Sequence, residues 1–237
     1  MTIAEKLQTI AENEQKVYDA GIEAVWEAIQ QGGAKTDYSG AFKRSSYNKS
    51  TFKPKYDMRV TAAYEMFRYS TSDNPVSMID VEKEQGIVFD FSQAPSLTGT
   101  FAGSMFLELS IIDLRGKTDM SYCFYGGYGN SPLTKIQKII VDENVVFKTT
   151  VFQYCSVLTY LRVEGTIASD NFNVQWSPLD HDSIVSIINA LSTTTSGLTV
   201  TLSKSAVNTA FSMTDDAPSQ EWSDLIATKQ NWTISLV

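Results

Sequence analysis

The sequence predicts an α/β fold, a solenoid with a parallel sheet, because three segments of the chain repeat one pattern. Each segment joins a Phe-x-x-small turn to a short strand in which apolar residues alternate. The anchoring phenylalanines are Phe101, Phe124 and Phe152, which lie 23 and 28 residues apart. A period near 23 residues that combines such a turn with a short strand is typical of leucine-rich repeats. We therefore expect a leucine-rich-repeat solenoid in which the three rings form one interior column.

The N-terminal segment is predicted to be one long helix over residues 2–30. Thr2 and Glu5 form a capping box at its start, and two glycines after residue 31 end it. Its apolar stripe has too few large side chains for a core helix, which favours a short parallel coiled coil. We assign residues 1–31 to oligomerisation, with a homotrimer as the expected state; a helix lying along its own solenoid as a cap is the alternative. The stripe follows 3-4 spacing at Ile3, Leu7, Ile10, Val17, Ala24 and Ala28.

Residues 32–85 show no clear period and are predicted to be an irregular linker that caps the first end of the solenoid. Between residues 35 and 69, eight basic and eight aromatic side chains are interleaved, with only three acidic ones. Such a mixture could stack single-stranded nucleic acid. However, the net charge of −8 repels a polyanion. We therefore favour an aromatic core docked against acidic neighbours, and expect no nucleic-acid partner.

Residues 86–237 carry the repeats and are predicted to end in β/α units. From residue 178 the repeating unit lengthens: Asp180 caps a helix that runs to residue 191, and a strand follows at 198–202. Further helical pieces are expected at 205–211 and 219–228, and a last strand at 232–237. The short strands before them have the buried pairs Phe89/Phe91, Ile112/Leu114, Ile139/Val141 and Leu161/Val163.

The strands also predict a partner-binding surface. Successive side chains of a strand point to opposite faces, so the residue between each buried pair is expected on the exposed face. We expect these residues to form one row on a single parallel sheet. The row consists of Asp90, Asp113, Ile140, Arg162, Thr201 and Ser235.

The motifs of common enzymes are missing from the sequence. It has no phosphate-binding glycine loop followed by lysine, no dinucleotide fingerprint and no zinc-protease motif. Residues 126–129 are glycine-rich and are interpreted as a loop inserted at a repeat edge. His181 lies between two aspartates, but neighbours in a first helical turn point apart, so we expect an exposed residue and no catalytic triad. We expect no enzyme, no cofactor and no metal site.

Two further chemistries were weighed on the residues that could carry them. Asp90 and Asp113 on adjacent strands satisfy the carboxylate separation of a glycosidase, so a glycan depolymerase stays an alternative. Cys123 and Cys155 could form a disulfide, but the absence of a secretory leader favours free thiols that pack as small apolar groups. No apolar run is long enough for a membrane span, so we expect synthesis in a cytoplasm and no membrane insertion.

The repeat segments resemble the BspA-like leucine-rich-repeat proteins of gut bacteria. Residues 10–21, 52–57, 186–202 and 231–236 are similar to proteins encoded by phages and prophages of Firmicutes. Genes for such proteins usually lie near tail and baseplate genes, so the resemblance implies a virion subunit of a tail fibre, baseplate or surface spike. It implies contact with other virion proteins through the N-terminal helix, and binding of a host-surface glycan or protein through the solenoid. A bacterial surface adhesin or a generic interaction module is the alternative function.

Overall fold

The computed structural model, which describes residues 2–127, 131–214 and 217–237, begins with a long helix followed by short strands and shorter helices. The helices are α1 (Ile3–Gln30), α2 (Met78–Gln85), α3 (His181–Ala190), α4 (Lys204–Ala210) and α5 (Gln220–Ala227). The strands are β1 (Met58–Arg59), β2 (Val76–Ser77), β3 (Phe89–Asp90), β4 (Phe106–Asp113), β5 (Lys135–Val141), β6 (Tyr160–Gly165), β7 (Phe172–Val174), β8 (Leu198–Leu202) and β9 (Trp232–Leu236).

The strands form three sheets, and all the paired strands are parallel. β1 pairs with β3, β2–β4–β5–β6 form a four-stranded sheet, and β7–β8–β9 form a three-stranded sheet. The predicted mixed α/β fold, with parallel sheets after a long N-terminal helix, is therefore confirmed. The single continuous sheet of the prediction is instead divided into three. In the described part of the chain, no helix is long and apolar enough to cross a membrane.

α1 begins and ends as its capping residues predict. The Thr2 hydroxyl accepts a hydrogen bond from the Glu5 amide, and the Glu5 carboxylate accepts one from the Thr2 amide, which completes the capping box. At the other end Gln31 adopts a left-handed conformation with φ of 51°, and its amide bonds to the Glu27 carbonyl. This turn stops the helix before Gly32.

Only the last third of α1 packs against the rest of the chain. Trp26 and Gln30 are fully buried there. The Trp26 indole donates to the Thr51 carbonyl at 2.9 Å, and the Gln30 side-chain amide donates to the Tyr56 carbonyl at 2.7 Å. Every described side chain from residue 4 to residue 21 is exposed. The helix is therefore a stem that is anchored to the body at its C-terminal end alone.

A column of five stacked phenylalanine rings runs through the core. Successive ring centroids are 5.1, 5.8, 5.7 and 5.2 Å apart, and successive ring planes are within 15° of parallel. The amides of the first four anchors each bond to a carbonyl of the next turn at 2.8 to 3.0 Å. The turns thus stack in parallel, and both ring contacts and backbone hydrogen bonds hold them together. The members of the column are Phe42, Phe67, Phe101, Phe124 and Phe152.

The column starts two turns earlier than the sequence predicted, so the prediction of an unperiodic linker over residues 32–85 was wrong. Phe42 and Phe67 are part of the same stack. β2 pairs with β4, and α2 packs on β4. The earlier turns were overlooked because α2 lies between Phe67 and Phe101 and lengthens the spacing to 34 residues. One continuous core extends from Trp26 to Trp232, with no boundary at residue 86.

The C-terminal third follows the predicted β/α order. The Asp180 carboxylate caps α3 by accepting a hydrogen bond from the Ser183 amide. α5 lies within the predicted piece 219–228, and α4 begins one residue before the predicted piece 205–211. β8 and β9 occupy the predicted strands and pair along their full length. β7 was not predicted, because three residues carry too little pattern to stand out. Residues 128–130 of the glycine-rich stretch lie outside the described residues.

Candidate functional site

The six residues predicted to form one row are distributed over three sheets. Asp90 pairs with Arg59 in the two-stranded sheet, whereas Thr201 and Ser235 face each other in the three-stranded sheet. In the four-stranded sheet Asp113 is directly opposite Ile140. The structure therefore brings together two neighbouring pairs and not a continuous row.

Arg162 is not opposite Ile140, because Glu164, two residues further along β6, takes that place. The pairing of β5 with β6 shifts between Ile136 and Ile139. The Arg162 guanidinium turns toward α3 and binds Asp180 at 3.3 Å and Asp182 at 3.2 Å. Simple alternation along a strand cannot predict such a shift. Arg162 thus ties β6 to the start of α3.

The two carboxylates considered for sugar hydrolysis lie on strands of different sheets. The Arg115 guanidinium bonds both oxygens of Asp113 at 2.7 to 3.2 Å and lowers the pKa of that carboxyl. A glycosidase acid needs the opposite, a carboxyl whose pKa is raised. Asp90 lies in a different sheet, where its carboxylate accepts from the Ser92 amide at 2.9 Å. Both aspartates stabilise turns at strand ends.

The basic and aromatic segment forms an aromatic core, as the sequence predicted. The Trp26 ring lies 5.7 Å from Phe42 and 5.1 Å from Phe52, and all three side chains are buried. The basic side chains around this core are held by carboxylates of neighbouring elements. These ion pairs are Lys43–Glu65, Lys49–Asp80, Lys53–Glu84, Lys55–Glu27 and Arg68–Glu65.

His181 is a link between two helices and is half-buried, not exposed as predicted. Its ring nitrogens lie 3.1 Å from an oxygen of Asp182 and 2.8 Å from an oxygen of Glu221 on α5. Two hydrogen bonds raise the pKa of the imidazole: the one to Asp182 has the larger effect, and the one to Glu221 has the next largest. Because carboxylates engage both nitrogens, the ring is not oriented toward a nucleophile.

The two cysteines are buried free thiols. The Cys155 thiol donates to the Phe124 carbonyl at 2.8 Å, and burial raises its pKa to about 12. Burial also raises the pKa of the Cys123 thiol. A thiol that stays protonated is a poor nucleophile and a poor metal ligand. Among the described residues, no three His, Cys, Asp or Glu side chains are grouped so that they could hold a metal.

The structure reveals a candidate binding surface that the sequence analysis overlooked, which we call the aromatic groove. It consists of two adjoining clefts of about 290 and 440 Å³ that share Tyr69. The smaller cleft is lined by residues that flank three of the phenylalanine anchors in the sequence. They are Arg68, Tyr69, Tyr122, Tyr125, Gln153 and Tyr154.

A series of ring contacts continues from the tyrosines of the smaller cleft to Trp176, which lies beside the groove and outside its described lining. The Tyr122 and Tyr125 rings are 5.4 Å apart, Tyr125 and Tyr154 are 5.7 Å apart, and Trp176 lies 4.8 Å beyond Tyr154. Tyr122 is 42% exposed and Trp176 is 43% exposed, so both present open ring faces. Contacts between neighbouring rings restrict their rotation, and the surface is thus formed before any ligand binds.

Glycines allow the turns beside the groove to approach each other closely. A Cβ atom on Gly103, which has φ of 55°, would lie 2.9 Å from the Tyr69 ring. A Cβ atom on Gly126 would lie 1.9 Å from the Tyr154 carbonyl oxygen. Any larger residue at either position would push a groove tyrosine or its backbone away. The close approach of the turns between the groove tyrosines therefore depends on these two glycines.

Arg68 is the one charged residue in the described lining of the groove, and its position is fixed. Its guanidinium lies 4.9 Å over the Tyr69 ring and forms an ion pair with Glu65, which also binds Lys43. Glu65 is buried, so the pair is shielded from water on the carboxylate side. The groove thus offers rigid ring faces with a few polar groups and little net charge.

Comparisons of the chain with family models, curated proteins and solved structures found no match.

Proposed function

We propose that the chain is a phage virion subunit, of a tail fibre, baseplate or surface spike, that displays a leucine-rich-repeat solenoid for binding to a host surface. In this proposal α1 oligomerises the subunit and joins it to other virion proteins. The solenoid binds a host-surface glycan or protein, without catalysis and without a cofactor. The observation that carries the proposal is the uncovered apolar seam of α1, which comprises the described residues of the predicted apolar stripe.

The apolar side chains of the seam are exposed to an extent that favours association with a partner. Leu7 is 62% exposed, Ile10 is 53% exposed and Val17 is 74% exposed. Ala24 and Ala28 are exposed as well, and the side chain of Ile3 lies outside the described part of the structure. Apolar residues at this spacing are stabilised when they interdigitate with the same residues of other copies.

The seam faces away from the body of the subunit. With about 3.6 residues per turn, Leu7 and Ile10 lie on the side of α1 that is turned away from buried Trp26 and Gln30. Copies can therefore associate through the seam without displacing the contact that anchors each body. A helix of 28 residues is about 42 Å long. It would serve as a stalk from which three bodies project.

The stacked turns support the repeat assignment. Five buried anchors, parallel backbone bonds between successive turns and parallel short strands are what a leucine-rich-repeat solenoid requires. Each turn contacts its neighbours in the stack, and stacked turns create a long continuous surface. Such surfaces usually recognise a partner, which fits display on a particle.

Electron microscopy of phage particles tests this proposal. Particles are induced from a strain that carries the gene, and they are labelled with gold-conjugated antibody raised against residues 32–237. We expect gold at the tail tip, fibre or baseplate. Particles from a strain with the gene deleted serve as the control and should carry no gold. If wild-type particles lack the chain while cell lysates contain it, the virion proposal is wrong.

A further inference from the structure

We propose that the aromatic groove is the binding site for a neutral glycan chain of the host surface. This inference rests on the proposed function, because it specifies which host-surface component the displayed solenoid binds. Four properties of the groove carry it: open ring faces, polar groups at their edges, an elongated shape and little net charge.

The open ring faces suit pyranose sugars. One face of a hexose ring presents C–H groups and is apolar, while its rim presents hydroxyls. Tyr122 and Trp176 are partly exposed rings of matching kind, and each is held by contact with a second ring, Tyr125 and Tyr154 respectively. Tyrosine and tryptophan combine an apolar face with a polar edge, so they can contact both parts of a sugar.

Polar side chains next to the rings supply hydrogen bonds for hydroxyls. Gln153 carries an amide that both donates and accepts, and the Arg68 guanidinium donates. Both line the smaller cleft, and the Arg68 side chain is 30% exposed. A few fixed polar groups among aromatic walls are what orients a ligand in a preformed site.

The shape of the groove favours a chain over a flat protein surface. Residues from the turns of Phe67, Phe124 and Phe152 line the smaller cleft, and the larger cleft continues from Tyr69 toward Pro75 and Pro132. The groove therefore extends across several turns of the stack. A stable protein interface covers about 800 Å² on each partner and is seldom confined to a narrow trough.

The charge of the groove excludes polyanions as its preferred ligands. Arg68 is the one charged group in the described lining, and it shares the buried carboxylate of Glu65 with Lys43. Single-stranded nucleic acids and acidic polysaccharides need a positively charged track along the binding surface. The net charge of −8 adds repulsion at long range. A neutral hexose or N-acetylhexosamine polymer remains as the ligand that fits.

Fluorescence of Trp176 provides a direct binding test with the full chain. Trp176 is the exposed member of the four tryptophans, since Trp26, Trp222 and Trp232 are at most 7% exposed. Maltopentaose, cellopentaose, chitopentaose and neutral wall polysaccharide extracted from Firmicutes cells are the probes. We expect at least one of them to protect Trp176 from quenching by iodide. Failure of all four to bind overturns the proposal.

Matched variants connect the binding to the groove. Tyr122→Ala and Trp176→Ala should each weaken binding of the successful probe about tenfold, because each removes one ring platform; calorimetry measures both affinities. Tyr64→Ala is the control, since Tyr64 is 56% exposed and lines neither cleft. Circular dichroism checks that all three variants stay folded. Affinities equal to that of the unchanged protein in both groove variants would place the sugar elsewhere and refute the site.

Treatment of cells separates failure of this inference from failure of the proposed function. Labelled protein is added to Firmicutes cells that have been treated with periodate, which cleaves sugar diols, or with protease. Loss of binding after periodate alone supports the glycan site. Loss after protease alone overturns it and leaves display on a virion intact. Particles that lack the chain, together with sugar binding at the groove, would instead refute the virion proposal and keep the site.

Discussion

Two buried lysines show how single side chains complete the stack of turns. The Lys117 ammonium donates to the carbonyls of Ser92 at 3.2 Å and Ala94 at 2.7 Å. Lys229 does the same for the carbonyls of Asn189 at 3.1 Å and Leu191 at 2.5 Å. Burial lowers the pKa of both ammonium groups. Each lysine thus satisfies carbonyl oxygens at the end of an earlier turn.

Replacement of Lys117 should destabilise the protein measurably. Lys117→Met keeps the length of the side chain but leaves two carbonyls without their donor. We expect the free energy of unfolding in urea to fall by about 1–3 kcal/mol. Lys148→Met, at an exposed position, is the control and should change it by less than about 0.5 kcal/mol. Equal stability of the two variants would show that the buried bonds of Lys117 contribute nothing.

At the scale of elements, the phenylalanine column is expected to dominate stability. Phe124 is fully buried between Phe101 and Phe152. Phe124→Ala removes a ring from the middle of the column and should lower the free energy of unfolding by about 3–5 kcal/mol. Phe124→Leu keeps much of the volume and should cost clearly less. Comparable losses for the two variants in urea titrations would contradict a packed column.

The link between α3 and α5 should depend on pH through His181. Its pKa is raised in the folded chain by Asp182 and Glu221, while the Phe211 ring packs 4.7 Å from it. A raised pKa means that the stabilisation is complete below the unfolded value of 6.5 and is lost as pH rises through the folded value. The stability difference between the unchanged protein and His181→Gln should therefore be larger at pH 5.5 than at pH 8.5, as measured by urea unfolding. A difference that does not vary with pH would remove this role.

The elements that the sequence predicted are those with local patterns. α1, α3, β8 and β9 were predicted because capping residues and apolar periods define them within a few residues. β1, β2 and β7 have two or three residues and exist only because a neighbouring strand pairs with them.

The aromatic groove could not be predicted from the same patterns. Tyr69, Tyr122 and Tyr154 are separated by dozens of residues, and only the stacking of turns brings them together. A signal was present, since each lies two residues from an anchoring phenylalanine. Recognising it requires the alignment of all five turns, and the sequence showed three. The predicted row of strand residues failed for a related reason, because division into three sheets cannot be derived from alternation.

At the scale of the whole molecule, the exposed stem predicts the oligomeric state. We expect sedimentation equilibrium at micromolar concentration to give three times the mass of the 26.3 kDa chain. The double variant Leu7→Asp, Ile10→Asp places charges in the seam, so the measured mass should fall about threefold to that of a monomer. The body should stay folded, because neither residue is buried against it.

A matched control separates the seam from general effects of added charge. Gln8→Asp with Gln15→Asp adds the same two charges to exposed positions on the other side of α1. The trimer should persist in this variant, since a three-stranded bundle leaves that side in water. A monomeric unchanged protein at high concentration would refute the coiled coil, and so would dissociation by both double variants alike. In either case the seam does not hold a trimer together, and the proposed stalk fails with it.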